Sequence, residues 1–548
     1  MQLRAHAQGV HNGSMRMHRA CLRPVVSTHR ARLPPPKSGI VGIVKLGGPA
    51  NVELYEALLM LQHRGQDNAG MVTTNWSQEC GYKEHKGHGM VKDVFDSKEQ
   101  MALLEGSSGI AIVATCKPDE NANASVQPLF VNSPLGMYMV HNGRVTNQEE
   151  LEESVLGGTD AFIARHLFTN SDTEVLLNVL ADELHRARMR GYNTTGCDVN
   201  SKASQYEFLF EAGQFVMNEV RGAYSVLTLM SGLGLVAFRD RHGIRPLVIG
   251  SRPGPNDVGL EYCIASEDCA FGPIGFKRVR DVAPGEMVVV TPEGQLVSRQ
   301  LVPGHLTPCI FEYIYKARPD SVLNNIHVYA FQLGLGRSMC DRIRAAGWEL
   351  DLICPVPDGS RPAAIQMASD LKLPYREGLV KNRYVNRTDR NIGKQSRMNA
   401  TRRKLNAMPA VFAGKSVLLV DDSIVRGDTL TQLVSMIRQC GAKKVYIVST
   451  SPAVKYPNLY GITMSYQRCS FVANGRTNDE VCFQLGADGL LCQELGDLIA
   501  AGKRLNPSIE RFDASCFDGD YVTGDIDEAY LAKLESLPKS YNVFESLS

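Results

Sequence analysis

Between Ser38 and about Glu286 the apolar residues fall in short runs broken by glycine and polar turns. SGIVGIV at 38–44 has the pattern of a buried strand, and similar runs recur at GMVTT, IAIVAT, MYMVHNG, AYSVLTLM, LVAFRD, LVIGS, YCIAS and EMVVV. Two segments carry helical spacing instead. NVELYEALLMLQ at 51–62 opens on Asn51 as an N-cap, and the stretch 171–188 opens on Ser171 and Glu174, spaced as a capping box. Many strands with few helices predict a layered α+β domain that ends near Gly285.

From about residue 340 the rhythm changes. DLICPVPD, SVLLVDD and KKVYIVST are apolar without alternation, and RPAAIQMASDLK and TLTQLVSMIRQCG separate them at helical spacing. Strands apolar on both faces, alternating with helices, predict a parallel sheet covered on both sides. In such sheets ligands bind beyond the C-terminal strand ends. Here those ends are polar: Pro357-Asp358-Gly359-Ser360 and Asp421-Asp422-Ser423. The tail after 500 carries one helical pattern, near 525–536.

The chain of 548 residues is long enough for two or more domains, and 44% hydrophobic with 21% charged residues is ordinary globular usage. A net charge of +1 argues against a nucleic-acid partner, and no apolar window is long enough to span a membrane. The 14 cysteines are scattered, without a zinc or iron–sulfur grouping, which suits a reducing, cytoplasmic setting. Residues 1–37 differ: six Arg, one Lys, four His and no acid, ending in Pro34-Pro35-Pro36-Lys37. This basic extension reads as a dispensable arm or as a mitochondrial import signal.

VLLVDDSIVRGDTL is the motif with the most chemistry. A buried strand delivers two adjacent carboxylates, then a loop containing Gly427, then a helix. Free N–H groups of loop and helix favour a phosphate, and Ser423, Arg426 and Thr429 add side-chain donors. Asp421 and Asp422 fit beside a phosphate if they face sugar hydroxyls or a magnesium ion. The competing reading is a strand that ends in solvated acids.

The motif resembles the phosphoribosyl pyrophosphate (PRPP) signature of type I phosphoribosyltransferases, and its VDDSIVRG form resembles the amidophosphoribosyltransferases. FEYIYKARPDSV (311–322), LPYREGLVKNRYVNRT (373–388), RRKLN (402–406) and HGIRPL (242–247) extend the likeness. It implies that the basic segment from Lys381 and Arg383 onward closes over PRPP and meets its pyrophosphate. It implies Mg²⁺ near Asp421, Asp422 and Gly359. Departures from the family pattern fall at Gln332, Gly359 (with Ser360 beside it), Asn386, Asp389-Arg390 and Asp428.

Residues 38–285 resemble the N-terminal-nucleophile glutamine amidotransferase domain through GIVGIV, QHRGQDNAG (62–70), KGHGMVKDVF, VHNG and SDTEVLLNVLADEL. The resemblance implies an oxyanion hole at Asn142 and Gly143, a grip on the substrate amino group by Asp172, and a substrate-binding place for Arg64. The nucleophile position holds Ser38, internal and without a free amine. Ala114 stands nearest the arginine that would clamp the glutamine carboxylate, with Cys116 close by.

Four segments follow: a basic extension at 1–37, a type-2 glutamine amidotransferase domain at 38–285, a phosphoribosyltransferase domain at 286–500 and a tail at 501–548. The expected fold is an α+β N-terminal-nucleophile sandwich followed by an α/β type I phosphoribosyltransferase domain. The expected activity forms 5-phosphoribosylamine from PRPP and glutamine or ammonia, the first step of de novo purine synthesis. Glutamine hydrolysis is expected to be absent, Mg²⁺ is the implied cofactor, no iron–sulfur cluster is expected, and the family forms homo-oligomers. The alternatives are a diverged paralogue that uses another nucleophile with PRPP, and a non-catalytic regulatory subunit.

Overall fold

Strand Lys37–Val44 shows how the sequence builds the first half. Ile40 and Val44 point to one side and Val41 and Ile43 to the other, and all four are fully buried. One side meets a second sheet; the other meets helix Asn51–Leu61. That is why the run is apolar without alternation. The computed structural model describes residues 37–76, 81–115, 124–153, 167–195, 198, 201–382, 404–462 and 464–537. Residues 1–36 of the basic extension, Cys116, Arg383, Asn386 and Asp389 lie outside them.

Seven antiparallel strands form the first sheet, in spatial order Lys277–Asp281, Val248–Pro253, Leu260–Ala265, Lys37–Val44, Ser108–Thr115, Asn68–Thr74 and Tyr82–His88. Six form the second: Leu296–Gln300, Glu286–Val290, Gly234–Arg239, Gly222–Met230, Met137–Val145 and Leu129–Val131. Helices Asp172–Thr195 and Lys202–Glu219 cover the outer face of the second sheet through Leu176, Leu180, Leu209 and Val216. The order is therefore helix, sheet, sheet, helices.

Two helix starts differ from their sequence reading. Ala50 is the N-cap of the first helix, and Asn51 is its buried first residue, donating from Nδ2 to the Met101 carbonyl at 2.5 Å. The Ser171/Glu174 capping box does not form. Glu174 turns to the preceding loop and accepts from the Phe168 and Thr169 amides at 2.8 and 2.7 Å, a stronger set of partners for a carboxylate.

The second half holds the parallel sheet: Leu352–Pro355, Ser416–Asp421, Lys444–Ser449 and Gly489–Cys492. Helix Asp428–Gln439 packs one face through Leu433 and Ile437. Helices Val328–Ala345 and Arg361–Leu371 pack the other through Met339, Ile343 and Met367. A short ribbon, Leu379–Lys381 with Leu405–Ala407, stands beside it.

The described parts of both halves belong to one compact unit. Its largest apolar core mixes Leu54, Leu58 and Phe271 with Phe311, Tyr313 and Phe331, and with Phe512, Phe517 and Leu531 of the tail. The tail helix, Glu528–Glu535, is capped by Asp527 and reaches the first half: Tyr530 donates to the Thr146 carbonyl at 3.1 Å.

Candidate functional sites at a parallel strand end and in the sandwich

Strand Ser416–Asp421 is central in the parallel sheet, flanked on both sides, so its C-terminal end opens where a doubly covered sheet binds ligands. Asp421 and Asp422 stand there together. The Asp422 amide donates to the Asp421 carboxylate at 2.9 Å, and Ser423 Oγ donates to Asp422 Oδ1 at 2.8 Å. Burial, followed by repulsion from Asp422, raises the Asp421 carboxyl well above its ordinary range; burial pushes Asp422 up to about 6. Two carboxylates that repel one another are suited to a cation or to hydroxyl donors.

Gly359 comes from the next strand's loop. A Cβ there would lie 2.2 Å from Asp422 Oδ2, so any side chain would have to displace that carboxylate. Ser360, the neighbouring hydroxyl, is buried and donates to the Val356 carbonyl at 2.6 Å; it faces away from the acids. Among the described residues no group of three or more His, Cys, Asp or Glu could hold a metal ion. A magnesium ion that arrives with a pyrophosphate needs fewer protein ligands. The strained acid pair and the cradle at Gly359 fit such an ion.

The loop after the strand reaches Gly427 at φ +83°, a conformation open to glycine, and helix Asp428–Gln439 begins at once. Its first-turn amides face the loop. Asp428, a departure from the family pattern, lies 3.2 Å from Arg426 Nε and partly occupies that guanidinium. Thr429 follows, exposed. Lys381 closes the short ribbon and donates to Asp358 Oδ2 at 2.8 Å; Asp358 also pairs with Arg361 at 2.7 Å. Gln332 stands apart from this cluster. It is buried on helix Val328–Ala345 and donates to the Tyr313 and Ile314 carbonyls at 3.2 and 3.4 Å.

In the sandwich, Ser38 is fully buried on strand Lys37–Val44, and its Oγ has no hydrogen-bond partner. Its register partner is Ala114. Asn142 is buried on strand Met137–Val145, on the same side as Tyr138 and Val140, which line the inter-sheet core. Ser266 Oγ ties the two strands, accepting from the Ile40 amide at 3.0 Å and from Asn142 Nδ2 at 3.5 Å. Gly143 has φ +151°, and a Cβ there would meet the Ala223 carbonyl at 1.9 Å, so only glycine fits. Asp172 opens its helix and accepts from the Val145 amide at 3.0 Å.

Arg64 binds inside the protein as well as lying near the nucleophile position. It is fully buried, and its guanidinium is used inside the protein. Nε donates to the Ser38 carbonyl at 3.1 Å, Nη1 to Glu267, and Nη2 to Glu312 at 2.9 Å. It anchors the Ser38 strand. Glu312 lies on a π-helix, Glu312–Lys316, in the second half. It also pairs with Arg245 at 2.7 Å, and Arg245 donates to Asn142 Oδ1 at 3.3 Å. Burial opposes the Glu312 charge, but Arg245 and Arg64 outweigh it and hold the carboxyl below its ordinary range. Burial likewise opposes the Glu267 charge, and His63 and Arg64 hold that carboxyl below its ordinary range too. One carboxylate of the second half thus braces both Ser38 and Asn142. A second link joins Arg144 to the Tyr466 hydroxyl.

The sequence reading quoted FEYIYK and HGIRPL as motifs but assigned no role to Glu312 or Arg245. The available signal was a lone charge within an apolar run, which in a buried strand or helix needs a partner.

A two-sheet sandwich with inner-facing Ser38 and Asn142 and with Gly143 next in the strand, joined to a parallel sheet whose strand ends in paired acids before a phosphate-type loop, defines the class. It is an N-terminal-nucleophile glutamine amidotransferase domain fused to a type I phosphoribosyltransferase domain. Residues 116–271 match the glutamine amidotransferase domain family and 327–454 the phosphoribosyl transferase domain family. The chain is 42% identical over 503 residues to amidophosphoribosyltransferase of Escherichia coli, covering 91% of this chain and 95% of that protein. The Saccharomyces cerevisiae enzyme of the same name is 38% identical, covering 92% and 95%. Among solved structures, the glutamine PRPP amidotransferase of B. subtilis, complexed with ADP and GMP, aligns with a TM-score of 0.74 and 30% identity over 89% of this chain and 98% of that one. The chain belongs to the amidophosphoribosyltransferase family.

Proposed function

We propose that the protein transfers nitrogen to PRPP, releasing pyrophosphate and forming 5-phosphoribosylamine from glutamine or ammonia, the entry to purine synthesis. The observation that carries this is the acid pair Asp421–Asp422 at a parallel strand end, opposite Gly359 and ahead of the loop Ser423–Thr429. The loop amides, the helix N-terminus, Ser423, Thr429 and Arg426 take the 5-phosphate. Asp421 and Asp422 take the ribose hydroxyls and, with the space beside Gly359, would hold Mg²⁺. When bound, the ion supplies neutralisation of pyrophosphate charge. Lys381 and Arg383 meet the pyrophosphate, and Lys381 leaves Asp358 to do so. In the sandwich, Asn142 and Gly143 form the oxyanion hole and Asp172 faces the amino group of glutamine.

Purified protein supplied with PRPP, magnesium and ammonium or glutamine tests the proposal. Pyrophosphate release dependent on a nitrogen donor is expected. Absence of pyrophosphate with every donor overturns it.

The residues of the acid pair and of the phosphate loop are present, which argues against the regulatory-subunit alternative. No helix among the described residues is long and apolar enough to cross a membrane.

A further inference from the structure

We propose that Arg144 anchors the carboxylate of an amino-acid ligand in the sandwich, beside Asp172, which holds that ligand's α-ammonium; this rests on the glutamine reading of Asn142, Gly143 and Asp172. Arg144 is only 6% exposed, yet among the described residues no carboxylate lies within ion-pair distance of it. Buried cations are normally paired. Arg64 and Arg245 are, since both meet Glu312. Arg144 has one hydrogen-bond partner among the described residues, the Tyr466 hydroxyl, which accepts from Nη1. The Tyr466 ring lies 5.3 Å from its Cζ. These contacts fix the guanidinium and leave the Nε–Nη2 edge, which can grip a carboxylate with two parallel N–H donors. Neither nitrogen is among the unpartnered polar atoms sealed in the interior, so both face open space.

Asp172 is 9% exposed. Its Oδ2 accepts from the Val145 amide at 3.0 Å, and its Oδ1 bonds no group among the described residues. Its charge acts on Arg144, yet the two side chains form no ion pair, so a gap separates them. Opposite charges set apart by a gap, each with an unused edge, match the ammonium and carboxylate that an α-amino acid carries on one carbon.

The length of the ligand follows from the strand. Asn142 precedes Arg144 by two residues on strand Met137–Val145 and leaves it on the same side, about 7 Å away at roughly 3.4 Å per residue. That spacing suits an amide joined to the α-carbon by a short chain, as in glutamine. Such a ligand would lie along the strand, its amide oxygen at Asn142 and Gly143 and its α-groups at Arg144 and Asp172. Binding of this kind does not depend on the reactivity of Ser38.

Calorimetry of the full chain with three probes tests the assignment: L-glutamine, glutaramate, which lacks the ammonium, and 4-aminobutanamide, which lacks the carboxylate. L-Glutamine should bind at least about 10-fold more tightly than either analogue, the size of one charge-assisted contact. In Arg144→Gln, L-glutamine and glutaramate should each weaken at least about 10-fold, while 4-aminobutanamide binds as it does in the parent. Arg144→Lys should restore part of the loss. A purely structural role would weaken all three probes alike, and that result overturns the inference. So does a parent that binds no L-glutamine, or that binds 4-aminobutanamide as tightly, a comparison that needs no variant to fold. Pyrophosphate release by the parent with ammonium as donor is measured in parallel. Its presence keeps the proposed transfer standing whatever the probes show, and its absence with every donor overturns the transfer separately.

Discussion

The two sites of this chain are built on opposite physical terms. In the sandwich, the charged groups around Ser38 and Asn142 are paired: Arg64 with Glu267 and Glu312, and Arg245 with Glu312. At the parallel strand end, Asp421 and Asp422 stand side by side, and burial raises both carboxyls, Asp422 to about 6. The first arrangement sets opposite charges against each other inside the fold; the second sets two like charges side by side. A paired network fixes geometry, whereas two neighbouring acids that repel one another favour a cation or hydroxyl donors. The difference teaches where binding energy is available: in the second half, where a bound cation would relieve the repulsion between the acids.

The sharpest way to break this contrast is to remove Glu312. Glu312→Gln leaves Arg64 and Arg245 buried with less counter-charge, and breaking such a pair costs about 3 to 5 kcal/mol. Thermal denaturation should show a marked loss of stability in the full chain. A melting point unchanged from the parent would mean that the network contributes no net stability.

The acid pair should behave in the opposite sense. Its carboxyls bind protons more tightly in the folded chain than in the unfolded one, so they subtract stability as pH rises above about 4, Asp422 through about 6 and Asp421 at higher pH. Asp421→Asn with Asp422→Asn should therefore raise the melting temperature of the ligand-free protein by a few degrees at neutral pH, and the gain should vanish below about pH 4. A loss of stability at neutral pH would show that the pair is already compensated.

A smaller effect sharpens the phosphate loop. Asp428 lies 3.2 Å from Arg426 and is exposed, so solvent screens it. Asp428→Thr should tighten PRPP binding by about 1 kcal/mol, by removing a like charge and releasing Arg426. Weaker binding would assign Asp428 a supporting role in the loop. The smallest expected change is none. Ser38→Cys should leave glutamine hydrolysis at background, since the amine stays in a peptide bond and Ala114 still faces the site. Glutamate release by this variant would contradict that.

How much the sequence revealed depends on distance along the chain. Strand, acid pair, loop and helix at 416–439 are contiguous, so their order could be read directly. The sandwich site draws Ile40 to Ser266 and Arg64 to Glu312 across 226 and 248 residues, and no local pattern reports such pairs. The bonds that Arg64 makes with Glu267 and Glu312 were therefore not legible in the sequence. The capping box at Ser171 failed because Glu174 found loop amides that spacing alone does not place. Helix Val328–Ala345 was not recognised, since its apolar positions also serve the core shared by both halves.

The central claim is that Asp421 and Asp422 with the loop Ser423–Thr429 bind PRPP. Calorimetry of the full chain with PRPP, with and without magnesium, tests it most directly. The account predicts binding that requires magnesium and is abolished in the Asp421→Asn, Asp422→Asn double variant. No heat of binding in the parent protein, or equal binding by the double variant, would contradict it.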